Sequence, residues 1–148
     1  LDARDTPVVL VLFGDHKPWM GNGGSVYEEM GIDFDTSTLA GFRNYYATPY
    51  LIWANRAAKE VLGADFTGDG GDFSPCFLMT RLFDACGWAG PGYMQLSRAM
   101  RDISPLLHTN GLFLHDGVLT SVLSDTDHSF YRSWLAVQYY REHVAAYS

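Results

Sequence analysis

Residues 7–19 read Pro7-Val8-Val9-Leu10-Val11-Leu12-Phe13-Gly14-Asp15-His16-Lys17-Pro18-Trp19. The run Val8–Phe13 is short, unbroken and apolar, which predicts a central β-strand covered on both faces. Gly14 ends this run, so Asp15 and His16 follow at the carboxyl end of the predicted strand. In open α/β sheets that edge is where ligands bind. The segment therefore predicts both a core strand and a candidate site directly after it.

Asp15 and His16 are adjacent and offer two kinds of metal-binding atom. A carboxylate oxygen beside an imidazole nitrogen is a natural donor pair for Zn²⁺ or Mn²⁺. A plainer interpretation is also open, in which Asp15 caps the next segment and His16 is an ordinary surface histidine. The position after a buried strand is the feature that favours the metal.

The bulk composition excludes several classes of protein. The chain has 148 residues, enough for one domain with a real core, and 47% of them are hydrophobic. The 10 Lys and Arg against 17 Asp and Glu give a net charge of −7, which argues against nucleic acid as a partner. No apolar run approaches the roughly 20 residues of a membrane span, so we expect a soluble piece. The chain begins with Leu1 and not Met, which suggests part of a longer protein.

Local signals predict further elements in the first half of the chain. A second strand is expected over Tyr50–Trp53, and Asn55 caps a short helix over Arg56–Leu62. Another short helix is expected over Val26–Met30. The segment Ile32–Phe42 is polar and irregular, and we interpret it as an exposed insertion.

In the second half, Ser74 and Pro75 open a predicted helix that ends at Gly87, and a further helix ends near Ser104. Asp116 and Gly117 form the commonest kind of hairpin turn. The flanking strands and the last helix are predicted over the ranges Leu112–His115, Val118–Leu123 and, with Asp127 as its cap, His128 to about Ala146. The predicted class is α/β with a small antiparallel hairpin.

Two motifs carry a resemblance to a known family. Gly14-Asp15-His16 after an apolar strand resembles the last metal-binding motif of the alkaline phosphatase superfamily. The longer string through Trp19, with Ser25-Val26-Tyr27 behind it, is similar to the lipoteichoic acid synthase and sulfatase-like phosphoglycerol transferase branch. The segment Tyr46–Asn55, which reads Tyr-Ala-Thr-Pro-Tyr-Leu-Ile-Trp-Ala-Asn, resembles the strand that follows the Asp-His motif in that branch.

This resemblance implies a fold and an activity. Residues 1–148 would form a single domain, the C-terminal part of a larger sulfatase-like catalytic domain with an α/β/α sandwich. The parent enzyme would move glycerol phosphate from phosphatidylglycerol onto an envelope polymer or glycan. It would act at the outer face of a bacterial cytoplasmic membrane, anchored by membrane helices that this chain lacks.

The resemblance also assigns roles to residues. Asp15 and His16 would bind a divalent ion, most often Mn²⁺, with Mg²⁺ or Zn²⁺ as alternatives. The Thr nucleophile and an acidic ligand would lie upstream, so this chain has no catalytic nucleophile, its metal site is incomplete, and alone it is expected to be inactive. Lys17 would meet a phosphate and Trp19 would stack on glycerol or sugar, although surface charge and core packing explain those two residues equally well.

Two rival interpretations stay open. A sulfatase or phosphodiesterase of the same superfamily would use the same Asp-His position with a different nucleophile. A non-catalytic binding module is the other alternative, because this chain alone carries only two of the required ligands. The sequence does not determine the donor, the acceptor or the oligomeric state.

Overall fold

The computed structural model describes residues 1–144. Over that range the chain is mixed α/β, with six α-helices and two antiparallel two-stranded sheets. The elements are β1 (Val9–Phe13), α1 (Ser25–Glu29), α2 (Leu39–Tyr46), β2 (Tyr50–Ala54), α3 (Arg56–Leu62), α4 (Leu78–Ala85), α5 (Gly92–Ile103), β3 (Phe113–His115), β4 (Val118–Thr120) and α6 (Asp125–His143). The predicted α/β class and the small antiparallel hairpin are therefore confirmed.

The chain divides into two compact units, Leu1–Phe66 and the rest from Thr67 onward. The first contains β1, β2 and helices α1 to α3. The second contains the hairpin β3–β4 and helices α4 to α6. The expectation that both units belong to one catalytic domain stays a prediction.

In the first unit β1 pairs antiparallel with β2, with Val9 opposite Ala54 and Phe13 opposite Tyr50. The expectation of a strand covered on both faces is wrong over its second half, because Leu12 and Phe13 are 53% and 60% exposed. An apolar sequence indicates that a strand favours burial by neighbouring elements. Within residues 1–144, however, β1 pairs with one strand only, β2. The sheet is buried mainly at its other end, where Ala54 meets the start of α3.

Helix α3 begins as the sequence predicts. The Asn55 side chain accepts a hydrogen bond from the Ala58 amide, and Gly63 closes the helix in the left-handed conformation with φ 64°. Asn55 also accepts from the Val8 amide at 2.9 Å, which ties the entry of β1 to the end of β2. One buried side chain thus joins a helix start to the sheet.

Helix α2 was not predicted, and the interpretation of Ile32–Phe42 as an irregular insertion is wrong at its end. Thr38 caps this helix by accepting a hydrogen bond from the Gly41 amide at 3.0 Å. Phe42 is only 3% exposed and anchors the helix in the core of the first unit. The apolar residues at helical spacing, Leu39, Phe42 and Tyr46, extend past the end of the expected insertion, and of these three only Phe42 is buried.

The core of the second unit is a cluster of Phe77, Met100 and Trp134, each at most 2% exposed. The Trp134 indole N–H donates to Ser97 Oγ at 3.0 Å, so this buried polar pair is satisfied. Met100 lies on α5 and Trp134 on α6, whereas Phe77 directly precedes α4. The Ser74–Gly87 prediction becomes a 3₁₀ turn over Pro75–Phe77 followed by α4.

The hairpin and the last helix differ from prediction mainly at their ends. Asp116 and Gly117 both have positive φ, 49° and 77°, as a tight two-residue turn requires. The cap of α6 is Ser124, whose hydroxyl accepts from the Asp127 amide at 3.1 Å, so the assignment of that cap to Asp127 is corrected. The predicted end near Ala146 lies outside the described residues.

Candidate functional site

The exit of β1 is fixed by two hydrogen bonds to the segment before β2. The Gly14 amide donates to the Pro49 carbonyl at 3.0 Å, and Thr48 Oγ1 donates to the Gly14 carbonyl at 2.7 Å. A Cβ at position 14 would lie 3.0 Å from the Thr48 Cβ, so glycine suits this close approach. The position of Gly14, and so of the start of Asp15, is therefore fixed by the segment that leads into β2.

Asp15 and His16 lie side by side on the loop that follows. Asp15 Oδ1 accepts a hydrogen bond from the His16 amide at 2.8 Å. The second carboxylate oxygen, Oδ2, lies 3.7 Å from His16 Nε2. The side chains of His16 and Asp15 are 78% and 81% exposed, so a ligand can reach them from solvent.

The hydrogen bonds of His16 decide which of its nitrogens can bind a metal. Its Nδ1 lies 2.9 Å from the Lys17 carbonyl oxygen, which can only accept. In the neutral ring Nδ1 must then carry the proton, so Nε2 keeps the lone pair. A backbone carbonyl that orients a histidine in this way is a common outer partner of a metal ligand.

The two donor atoms fit a shared divalent ion. Ligand distances of about 2.1 Å at a tetrahedral angle place two donor atoms about 3.4 Å apart. The observed 3.7 Å between Asp15 Oδ2 and His16 Nε2 is close to that separation. Along residues 1–144, however, no group of three or more His, Cys, Asp or Glu side chains is placed to hold a metal. A catalytic metal site generally needs about three protein ligands, and this pair could supply two of them.

A second histidine and aspartate pair shows how much of this geometry comes from adjacency alone. His115 Nε2 lies 3.7 Å from Asp116 Oδ2, and His115 Nδ1 lies 3.0 Å from the Ile103 carbonyl. His115 is the last residue of β3 and Asp116 the first residue of the hairpin turn, and the His115 side chain is only 34% exposed. It has the same separation but a more enclosed ring, which makes it a matched control for any metal experiment.

Lys17 and Trp19 occupy different environments. Lys17 Nζ donates to the Asn44 carbonyl in α2 and lies 5.9 Å from the centre of the Phe34 ring. Trp19 is 63% exposed, so its indole is available to a ligand. The structure thus places Lys17 against its own chain and Trp19 toward solvent.

Several residues that shape this loop were not identified from the sequence as site residues. Tyr27 is buried and its hydroxyl donates to the Pro18 carbonyl at 2.6 Å, which holds the turn after Lys17. Thr48, Asn44 and Phe34 act on the loop from positions far along the chain. Thr48 and Tyr27 had a signal, since Thr48 belongs to the Thr-Pro segment and Tyr27 to the Ser-Val-Tyr string, both of which resemble family motifs.

Replacing Thr48 by Val is expected to lower the free energy of unfolding by about 1 kcal/mol, since the Gly14 carbonyl loses its hydroxyl donor while the side-chain shape is kept. Thr48→Ser keeps the hydroxyl and should cost less than half of that. Urea unfolding of both variants checks the order. Equal losses would show that the hydrogen bond to Gly14 contributes little.

No protein-family model, no curated protein and no solved structure matches this chain.

Proposed function

We propose that this chain is the Asp-His half of a metal-dependent phosphoglycerol transferase of the sulfatase-like branch of the alkaline phosphatase superfamily. The observation that supports it is the convergence of Asp15 Oδ2 and His16 Nε2 on one side of the loop after β1. The motif resemblance supplies the family. The substrate would be a phosphatidylglycerol-type headgroup and the acceptor an envelope polymer or glycan.

Asp15 and His16 would serve to hold a divalent ion. Bound Mn²⁺, or Mg²⁺ or Zn²⁺ in its place, would polarise the phosphoryl oxygens and lower the pKa of the nucleophile. Asp15 supplies a charged oxygen and His16 supplies a nitrogen whose orientation the Lys17 carbonyl fixes. A Thr nucleophile and an acidic ligand from outside this chain would complete the site.

The neighbouring residues would position the substrate. The exposed indole of Trp19 can stack on a glycerol or sugar ring face. Lys17 would reach a phosphate only by giving up its hydrogen bond to the Asn44 carbonyl. We therefore assign Trp19 the larger share of substrate contact, and the phosphate contact of Lys17 stays a prediction.

The exposed end of the first sheet supports the larger fold. Leu12, Phe13 and Leu51 are each more than half exposed although they lie on paired strands. Such apolar surface is costly to leave in water, which is consistent with cover from further strands or helices of an α/β/α sandwich. We propose that the remainder of the catalytic domain supplies that cover.

The proposed location follows from the substrate. Among residues 1–144 there is no helix both long enough and apolar enough to cross a bilayer. Access to a lipid headgroup at the outer face of the bacterial cytoplasmic membrane would depend on parts of the protein outside this chain.

The test uses the protein expressed from its complete gene. With Mn²⁺ and phosphatidylglycerol vesicles we expect release of diacylglycerol, reduced by about 100-fold or more in Asp15→Asn, because the ion loses a charged ligand. Asp116→Asn, which alters the control pair on the hairpin, should keep full activity. Residues 1–148 alone should show no turnover of a nitrophenyl phosphodiester.

The rival enzymes give a different result in the same assay. A sulfatase would leave the lipid intact and hydrolyse a nitrophenyl sulfate, again with dependence on Asp15. Lipid turnover that is equal in Asp15→Asn and the unsubstituted protein would contradict the proposed role of the pair.

A further inference from the structure

The second unit contains a cavity of about 300 Å³ beside a cluster of arginines. Its wall includes the Gly70 backbone, Phe73, Arg81, Asp84 and Arg101. The volume lies at the lower end of the range of ligand pockets, which suits a small ion with its water. None of these residues belongs to the Asp15–His16 site.

One carboxylate in this cluster is shared by two guanidinium groups. Arg98 Nε lies 2.6 Å from Asp84 Oδ1, and Arg101 Nη2 lies 2.7 Å from Asp84 Oδ2. All three side chains are less than a third exposed. Burial raises the pKa of Asp84, but the hydrogen bonds from Arg101 and Arg98 more than offset it, so that the pKa lies below its usual range. Asp84 is thus an anion that holds two cations.

The side chains that line the cavity carry no net charge, within a chain of net charge −7. Arg81 adds a second guanidinium to the wall beside that of Arg101, and its Nε donates to the Gly70 carbonyl at 3.3 Å. Asp72, which is exposed, also lines the cavity. Arg81 and Arg101 therefore balance Asp72 and Asp84 within the lining, and Arg98, which lies outside it, also pairs with Asp84.

One donor in this cluster lacks an acceptor. Nη1 of Arg101 is buried and forms no hydrogen bond with any residue that the structure describes. Arginine does not lose its proton in proteins, so this donor cannot be removed by titration. An unsatisfied buried group in a folded protein calls for an explanation, and an unseen ion is one of the recognised explanations.

From this geometry we propose that the cavity binds a small oxyanion of the phosphate or carboxylate class. Arg81 and Arg101 would donate to its oxygens, with a small side-chain adjustment bringing Arg101 Nη1 onto one of them. Asp84 would hold Arg101 in place without contacting the anion. The forked guanidinium suits paired oxygens, which a halide lacks. This site is independent of the proposed transferase activity.

The experiment titrates the whole chain with inorganic phosphate while two-dimensional NMR follows the Gly70 amide and the arginine Nε–H signals. Sodium chloride at matched ionic strength is the background control, and sodium acetate tests the carboxylate arm. We expect saturable shifts with phosphate, weaker saturable shifts with acetate and none with chloride.

Substitutions make the test specific. Arg81→Gln should weaken phosphate binding by about tenfold, since one charge-assisted hydrogen bond is lost. Arg101→Lys should weaken it by a similar factor. Arg98→Lys is the matched control, because Arg98 bonds the same carboxylate but does not line the cavity, and its affinity should change by less than about twofold.

The outcomes separate the proposal from a purely structural cluster. Absence of saturable shifts, or equal weakening by Arg98→Lys and Arg81→Gln, would overturn it. If Arg101→Lys fails to fold, Arg81→Gln still decides the question, because Arg98 and Arg101 form the ion pairs of Asp84 whereas Arg81 Nε donates to the Gly70 carbonyl.

Discussion

Replacing Asn55 by Asp is expected to lower the free energy of unfolding of the first unit by about 3–5 kcal/mol. Asn55 is completely buried, and its Oδ1 accepts from the Val8 and Ala58 amides, each at 2.9 Å. Its amide nitrogen, which carries two hydrogens, faces three carbonyl oxygens at 3.4, 3.1 and 3.0 Å, those of Leu1, Arg4 and Thr6. Aspartate keeps the shape but places an oxygen against those three oxygens.

Urea unfolding followed by amide exchange of the β1 residues measures this loss within the first unit. Asn44→Asp is the control, since the Asn44 side chain makes one hydrogen bond, to the Asp33 carbonyl at 2.9 Å, at an exposed site. Its cost should stay below about 1 kcal/mol. Similar losses for the two variants would show that the Asn55 network does not hold β1 to β2.

Replacing Trp134 by Ala should destabilise the second unit by about 3–5 kcal/mol, because it leaves a cavity in the core. Trp134 is 2% exposed, and its ring centre lies 5.8 Å from that of Phe77 and 6.4 Å from that of Tyr131. The indole N–H is also the partner of Ser97 Oγ, a side chain that is itself 1% exposed. The variant therefore loses packing and a buried hydrogen bond together.

Trp134→Phe separates those two effects, since it keeps much of the apolar volume and removes the N–H. We expect it to cost less than half as much as the alanine variant. Trp19→Ala is the control for losing a tryptophan at an exposed position and should change the unfolding free energy by less than about 0.5 kcal/mol. Thermal unfolding followed by far-ultraviolet circular dichroism reports all three. Equal effects at Trp19 and Trp134 would contradict the assignment of the core.

Elements with strong local signals were predicted well. Helix α3 has the predicted bounds because Asn55 caps it and Gly63 ends it within one short window. The hairpin was predicted because Asp116 and Gly117 tolerate positive φ where few other residues do. In both cases the residues that fix the element lie within a few positions of it.

The elements that were missed depend on contacts from far along the chain. Helix α2 is held by the burial of Phe42, whereas the other two apolar residues at helical spacing, Leu39 and Tyr46, are each more than a third exposed. The exposure of Leu12 and Phe13 could not be predicted either. An apolar strand sequence indicates a preference for burial, but it does not show whether other elements pack on the strand.

In the candidate site, too, contacts between adjacent residues were predictable and contacts between distant residues were not. The approach of Asp15 to His16 follows from their adjacency, and the hairpin pair of His115 and Asp116 shows the same separation. The contact of Thr48 with Gly14 spans 34 residues, and that of Lys17 with Asn44 spans 27. No local pattern predicts such pairs, so the supporting contacts of the loop became visible only in the structure.

The central claim is that Asp15 and His16 are metal ligands, and paramagnetic broadening by Mn²⁺ tests it most directly. Added to the isolated chain, the ion should bind weakly, in the millimolar range, since two protein ligands leave most of its shell to water. Broadening should be strongest at Asp15 and His16. It should be weaker at His115, whose ring is more enclosed and whose pKa is raised, chiefly by its hydrogen bond with the Ile103 carbonyl.

His16→Ala should remove the broadening at residues 15 and 16 and leave that at the hairpin unchanged. Equal broadening at the two pairs, or broadening near Asp15 that survives in His16→Ala, would contradict the account.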